Sequence, residues 1–431
     1  MVPKSFKVIV VGGGPVGLTA AHALHHAGID FVILESRSSV ILDQGASLVL
    51  SSPSLRIMHQ LGVLERLLKI GGELQHTQSM TRDGHQFVNS QAIFQVLKKN
   101  HGTAPVAFHR AQLIETLFES LPTAAKDRYL LNKKVDSIES DETGVRVTCT
   151  DGSTYDGSIV IGADGVRSKT RRIMREQALE EDPQRDWDAV VPFPALYKCM
   201  WCSFPRDMST MFLAGRERGW IFLYERLPEP TTSRVDYTEG DRQAFAAKFA
   251  DFPVTDKLKV KDVYATRLTD GMANLEEGIL KHWSWGRIVL AGDACHKFTP
   301  NAGRGLNNGI QDVVALCNGL HEILETRTEN DLPDLVILGK MFAYYQQTRS
   351  APVKSDGDQS LYLSRMHAWA NWFSHFMSRY ILSYDWLLTW TVNSLAAKEI
   401  RKSLVLKYIH VDEPFLASVE WEHPLREKVI E

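Results

Sequence analysis

The stretch VIVVGGGPVG, residues 8–17, breaks an apolar run with glycines at 12, 14 and 17, and Glu35 follows 18 residues after the last of them. Those residue types at that spacing can hold a dinucleotide. Gly12 allows a tight turn, Gly14 lets the backbone approach a pyrophosphate, and Gly17 lets a helix pack closely on a strand. The amides that open such a helix face the phosphates, where the peptide dipoles favour negative charge. Glu35 is placed to accept hydrogen bonds from a ribose diol. A bare strand–turn–helix would use the same glycines, so it is the acid that favours the dinucleotide. Asp164 and Asp293 lie in two further turns of this kind. IVIGADG, residues 159–165, and IVLAGDA, residues 288–294, are apolar runs that also break into glycine, now with an aspartate.

The elements that must position these groups follow from the hydrophobic period. Residues 6–11 read as a buried strand. Residues 15–27 read as a helix with Val16, Ala20, Ala23, Leu24 and Ala27 on one face, ended by Gly28, and residues 31–34 as a second strand. A further helix is expected over 110–121, a hairpin-like stretch over 145–161, a strand at 287–291, a loop at 292–302 and a helix at 305–326. Between 175 and 280 the alternation in ALYKCMWCSF and GWIFLYERL predicts an antiparallel sheet. The last 80 residues read as helical and aromatic-rich. In a parallel sheet the carboxyl ends lie along one edge and ligands bind in the crevice there. Three such turns imply one long ligand across that edge.

The 431 residues suffice for two or three units, and a net charge of −3 with an isoelectric point near 6.6 asks for no nucleic acid. Five cysteines, an odd and low number, argue for a reducing compartment and against a disulfide framework. Cys199-Met-Trp-Cys202 is read as a coincidental CxxC in a strand. The apolar start is interrupted by Gly12–Pro15, so it reads as a strand and not as a leader. A cytoplasmic protein is expected. In the tail, Trp369 and Trp372 stand three apart, and Trp386 and Trp390 four apart, each pair on one helix face. A packed helical cap is the first reading. A lid over an apolar substrate, or a helix lying on a membrane surface, are the others.

Three motifs together, VVGGGPVGLTAAHAL…ILE, IGADGVRSKTR and GDACHKFTPNAGRGLNNGIQD, spanning residues 8–312, resemble the single-component FAD-dependent monooxygenases of the aromatic-hydroxylase type (group A). The HK after GDA is most similar to the fungal secondary-metabolism enzymes of the paxilline-epoxidase kind. The resemblance implies an α/β fold: a Rossmann-like FAD-binding domain (1–75, 105–175 and 282–350), interwoven with an antiparallel-sheet substrate domain (76–104 and 176–281). Residues 351–431 would form a C-terminal helical region. It implies FAD as cofactor, NAD(P)H as co-substrate, dioxygen, and a lipophilic substrate such as a terpenoid, indole alkaloid or phenol. That substrate would be hydroxylated or epoxidised. A flavin oxidase or dehydrogenase without oxygen insertion, and a non-catalytic flavin-fold binding protein, are the alternatives.

By the same resemblance Gly12, Gly14 and Gly17 would hold the pyrophosphate and Glu35 the adenosine ribose. Gly45 and Ala46 would lie beside the isoalloxazine, and Arg110 would contact the FAD. Asp164 would serve flavin and nicotinamide, and Asp293 the ribityl chain. Pro300, Gly303, Arg304, Gly305, Leu306 and Asn307 would wrap the pyrimidine side. Helix amides near Gly305 would then favour negative charge on the flavin's N1–C2=O edge. No metal is expected, since the flavin carries the chemistry. Arg304 and Leu306 depart from the family's usual glutamine and small residue. Lys198 and Tyr224 are the candidate donors to substrate, each weighed against a plain structural role. Arg171 and Arg172 could meet a nicotinamide phosphate or could simply be solvated, and His296 reads as a locally bonded loop residue.

Overall fold

The computed structural model describes residues 5–43, 45–80, 84–205, 213–214, 218–255, 257–300, 303–328, 331–367, 372, 376 and 384–426. β1 (Lys7–Val11), α1 (Pro15–His26) and β2 (Asp30–Leu34) open the chain, each strand buried at all but its first position. Such runs suit a parallel sheet covered on both faces. Pro15 starts α1, where its missing N–H costs nothing. β3 (Tyr129–Leu130) and β4 (Ile159–Gly162) extend the same sheet. A second sheet is built from β5 (Ala195–Pro205) and β6 (Arg218–Thr231), then, after helices α2 (Glu239–Lys248) and α3 (Val260–Ala265), from β7 (Thr269–Glu276). The chain returns to the first sheet with β8 (Ser284–Trp285) and β9 (Ile288–Leu290). Two long helices follow, α4 (Arg304–Leu324) and α5 (Leu335–His367).

The first sheet has the order β8-β9-β4-β1-β2-β3, parallel except for the edge strand β8. Its register sets Val11 beside Gly162 and Gly162 beside Leu290. The three glycine turns therefore leave the sheet side by side at one edge.

The second sheet is antiparallel, in the order Leu213–Ala214, β6, β5, β7. Directly opposed residues share a face. One face carries the rows Leu223–Met200–Met272 and Ile221–Cys202–Asp270. Phe245 of α2 with Val260 and Val263 of α3 close over it as a separate small core. The other face carries Trp220–Ser203–Thr269, Phe222–Trp201–Gly271 and Tyr224–Cys199–Ala273.

Two expectations change here. The segment 175–280 is not sheet throughout, because α2 and α3 interrupt it. The signal was Thr238-Glu-Gly-Asp241, a capping box in which Thr238 Oγ accepts the Asp241 amide and the Asp241 carboxylate accepts the Thr238 amide. The tail is also not helical to its end: from 403 to 426 it has neither helix nor strand. That strap is stitched to helices packed on the first sheet's side of the molecule. Gln60 donates to the carbonyls of Leu406 and Ile409 and accepts the Leu406 amide, and Tyr408 Oη donates to Ala23 O at 2.9 Å. Arg56, fully buried, donates to the Glu413 carboxylate and to His423 O, with its guanidinium 3.9 Å from the Trp421 ring centroid. Glu413→Gln is expected to cost about 2 kcal/mol of stability, the worth of a hydrogen-bonded charge at a half-buried site. Urea unfolding measures it, and an unchanged midpoint would show that the strap does not depend on this pair.

His22 is buried on α1, and His101 is buried at the end of the helix Ala92–His101, against Trp421. Burial is the main cause that lowers both to about 4; for His22 the carbonyl of Leu117 opposes it, and for His101 Arg56 adds to it. Unfolded, both would take a proton near pH 6.5. The folded values lie below the unfolded ones, so stability is full above pH 6.5. It falls as pH is lowered towards 4, by on the order of 3 kcal/mol for His22. His22→Gln should flatten that part of the pH–stability curve; a curve as steep as the parent's would assign the acid sensitivity elsewhere.

Candidate functional site: a dinucleotide cradle beside an aromatic sheet face

The glycine turns are packed against each other. Gly12 has φ +103°, and a Cβ there would lie 2.5 Å from Ala163 O, so the first and second turns touch through bare backbone. A Cβ on Gly17 would fall 2.0 Å from Gly12 O, which is the close approach of helix to strand that the spacing predicts. Gly14 has open space where its Cβ would be, as a backbone that faces a ligand requires. Gly292 and Gly309 both face Val16 of α1, so the third turn and α4 close on the same helix.

Glu35 is buried, and its carboxylate accepts the amides of Gly13 at 2.7 Å and Arg37 at 2.8 Å, with the Ser36 hydroxyl. It therefore locks the glycine turn and keeps acceptor capacity to spare, since a carboxylate has about four acceptor directions. Gly13, which the sequence reading passed over, is also required: a Cβ there would strike Tyr129, whose hydroxyl donates to Gly13 O at 2.9 Å. No local signal tied Tyr129 to residue 13.

Asp164 accepts the Thr170 amide and hydroxyl through Oδ2, while its Oδ1 is buried without a partner among the described residues. Asp293 pairs with Lys297 at 2.5 Å and lies against Gly305 at the start of α4. Arg110 is held in a low-dielectric position. Burial lowers its pKa, and Arg37 adds to that, while Asp293 favours the charge. Gly45, at φ +104°, lies over the Arg110 side chain, Ala46 is half-buried next to it, and Gly303 lies against Val49. Pro300 is exposed and its carbonyl accepts the Gly303 amide. Leu306 packs on the main core.

Several candidates point elsewhere than expected. Arg304 turns from the cradle to α5, 3.5 Å from Asp356 and within hydrogen-bond reach of Gln359. The side chain of Asn307 is spent on protein: its oxygen accepts from Ser51 and Ser54, and its nitrogen donates to the carbonyls of Val49 and Gly303. Arg171 is buried and donates to Val166 O and Ala294 O, joining the second turn to the third, so its tip is not available to a nicotinamide phosphate as expected; Arg172 is exposed. His296, fully buried, bonds Asp312 at 2.6 Å, and Asp312 also accepts the Gly292 amide and Arg349 Nε.

The two candidate donors separate. Lys198 is corrected: it lies on the helix-covered face, paired with Glu225 at 3.0 Å and 5.1 Å from the Phe245 ring centroid. Tyr224 lies on the open face, bonded to Cys199, and burial raises its pKa well above the ordinary phenol value. Cys199 and Cys202, three apart on a strand, point to opposite faces and form no shared site. The open face is turned towards the cradle. Arg218 and Trp220 lie on it, Arg218 paired with Asp43 and Trp220 stacked on His109, the residue before Arg110. In the tail, Trp372, Trp386 and Trp390 are 79%, 68% and 56% exposed, so they are not a packed cap; Trp369 lies outside the described residues. Among the described residues no helix is long and apolar enough to cross a membrane.

An orphaned Asp164 oxygen, open space at Gly14, a half-buried arginine at 110 and a helix start beside Asp293 fit a flavin dinucleotide. A family model described as an FAD binding domain matches residues 5–334. The chain is 32% identical over 404 residues to the FAD-dependent monooxygenase ausM of Penicillium brasilianum, covering 88% of this chain and 83% of that one. It is 31% identical over 431 residues to the FAD-dependent monooxygenase srdH of Neurospora crassa, covering 94% and 96%. Among solved structures, HpxO of Klebsiella pneumoniae complexed with FAD and uric acid is similar at a TM-score of 0.69 and 20% identity, over 92% of this chain and 96% of that one. The p-nitrophenol 4-monooxygenase PnpA of Pseudomonas putida is similar at 0.66 and 16%, with the same shares covered. The last two show the fold, and the first two the kinship. By both, this chain belongs to the FAD-dependent monooxygenases of the aromatic-hydroxylase type, and its cofactor is FAD.

Proposed function

We propose that this enzyme uses NAD(P)H and dioxygen to place one oxygen atom, as a hydroxyl or epoxide, into an uncharged apolar substrate bound on the open face of the second sheet. Fungal-type secondary metabolism is the setting its relatives suggest. The observation that carries the reading is the pairing of that aromatic face with the cradle edge through Arg218, Trp220, Asp43 and His109. Bound FAD supplies the redox and oxygen chemistry. The chain's own residues bind and orient. Gly12, Gly14 and Gly17 admit the pyrophosphate, with Arg110 as its counter-charge and Glu35 at the ribose. Asp164 Oδ1 and Asp293 offer acceptors to flavin hydroxyl or amide donors. The amides that open α4 at Gly305 would meet its pyrimidine edge, and the backbones of Gly45, Ala46, Pro300 and Gly303 would frame the ring. Tyr224 is the candidate hydroxyl on the open face, and it would reach substrate by exchanging its hydrogen bond to Cys199. The sheet's apolar rows exclude water there. Chain organisation follows suit: a discontinuous FAD unit around the first sheet and a substrate unit around the second. The exposed rings of Trp372, Trp386 and Trp390 support peripheral association with a membrane surface, which liposome flotation tests.

The test is to purify the protein and follow NADH and NADPH oxidation with flavin absorbance, against prenylated indoles, terpenoids and phenols under labelled dioxygen. Accelerated flavin reduction by one compound, which gains one labelled oxygen, is the expected result. Yellow protein that oxidises compounds without labelled oxygen would make it an oxidase or dehydrogenase.

A further inference from the structure

The middle row of the open face is Phe222–Trp201–Gly271. A Cβ on Gly271 would fall 2.4 Å from Trp201 Cζ2 and 2.7 Å from Cε2. The indole therefore lies across β7, and it can do so only because residue 271 has no side chain. Its neighbours on β7 along the same face, Thr269 and Ala273, are small. The result is a shallow trough with a ring as its floor, flanked by Phe222 and Tyr224, whose rings stack at 6.5 Å.

The polar groups of this face are largely spent on each other. Ser203 Oγ and Thr269 Oγ1 are 2.7 Å apart, and Tyr224 bonds Cys199. One buried donor is left over, the Trp220 indole N–H, which has no partner among the described residues. No Lys, Arg, Asp or Glu occupies the three rows from Trp220 to Ala273. Rows of this kind recognise a flat π-system by area and by ring–ring contact, and the charged groups of the face, Arg218 and Arg226, stand only at its two ends.

Resting on the reading that this face takes the substrate, we propose that Trp201 is the specificity-determining platform of the site. It selects a planar, uncharged ring system, fused aromatic or otherwise conjugated, over a globular saturated cage of similar polarity. Gly271 is the residue that keeps the platform flat.

Calorimetric titration of the FAD-loaded, unreduced enzyme tests this with phenanthren-9-ol as the flat probe and 1-adamantanol as the globular one. Without a reductant neither is turned over. The expected result is a preference for the flat probe that falls about tenfold in Trp201→Leu and in Gly271→Ala. Binding of 1-adamantanol should change less than about twofold in both, on the order of 0.4 kcal/mol or below. Trp201→Phe, which keeps a flat ring, should retain part of the preference, and it decides the matter if the leucine variant does not fold. A preference unchanged in all three variants overturns the platform while leaving the substrate face intact. A flavin-loaded wild-type enzyme that binds neither probe overturns the substrate face and the platform with it.

Discussion

A Gly12→Ala enzyme will be purified without flavin, its FAD affinity lowered by ~100-fold or more. Two costs combine. Residue 12 has φ +103°, where an L side chain is strained by roughly 1–3 kcal/mol. The new methyl would also sit 2.5 Å from Ala163 O, which is backbone and cannot step aside without carrying Asp164 with it. The damage thus reaches two of the three turns at once. Flavin absorbance of the purified protein and titration with FAD measure it. A yellow Gly12→Ala protein of near-normal affinity would show that the cofactor does not depend on this contact.

Asp312→Ala is expected to lower stability by about 3–5 kcal/mol, because it leaves a buried charge without its partner. Asp312 is fully buried, accepts His296 Nε2 and the Gly292 amide on one oxygen and accepts Arg349 Nε on the other, at 2.6, 3.0 and 2.9 Å. Burial pushes its pKa up, but His296 and Arg349 outweigh that and hold it below the ordinary carboxylate range. A depressed carboxyl stabilises the fold at pH values above that range, and the contribution is lost on acidification through it. Arg349 would keep only Asn308, and the amide of Gly292 would lose its acceptor next to Asp293. Urea unfolding with and without FAD measures both consequences. A loss under about 1 kcal/mol would mean that water or a side-chain shift replaces the carboxylate.

The three turns were legible because glycine and aspartate at the end of an apolar run carry their constraint in their own type. Val11, Gly162 and Leu290 end up side by side for the reason the runs suggested. What failed were facts about faces. Alternation in β5 shows that Lys198 and Cys199 point oppositely, but not which face α2 and α3 will cover, so Lys198 stays a candidate donor in the sequence although it faces Phe245. Trp201 was passed over because its meaning depends on Gly271, 70 residues on. Arg304 and Asn307 sit in the motif that points to flavin, yet their side chains serve Asp356, Ser51 and Ser54. The strap after residue 402 has no period to read, and its partners lie from about 90 residues away, at Gln311 and Asn318, to more than 340, at Gln60.

That strap bears on how the enzyme is made. Gln60 has its acceptors at Leu406 and Ile409, α1 receives Tyr408, and the sheet itself waits for β9 at residues 288–290. Contacts of such long sequence separation form late, since the intervening chain must first be closed into loops. The first βαβ unit will thus emerge from the ribosome long before it has neighbours. Loading of the cofactor becomes one of the last events of biogenesis, and the half-made apoprotein is the species that chaperones and proteases will meet.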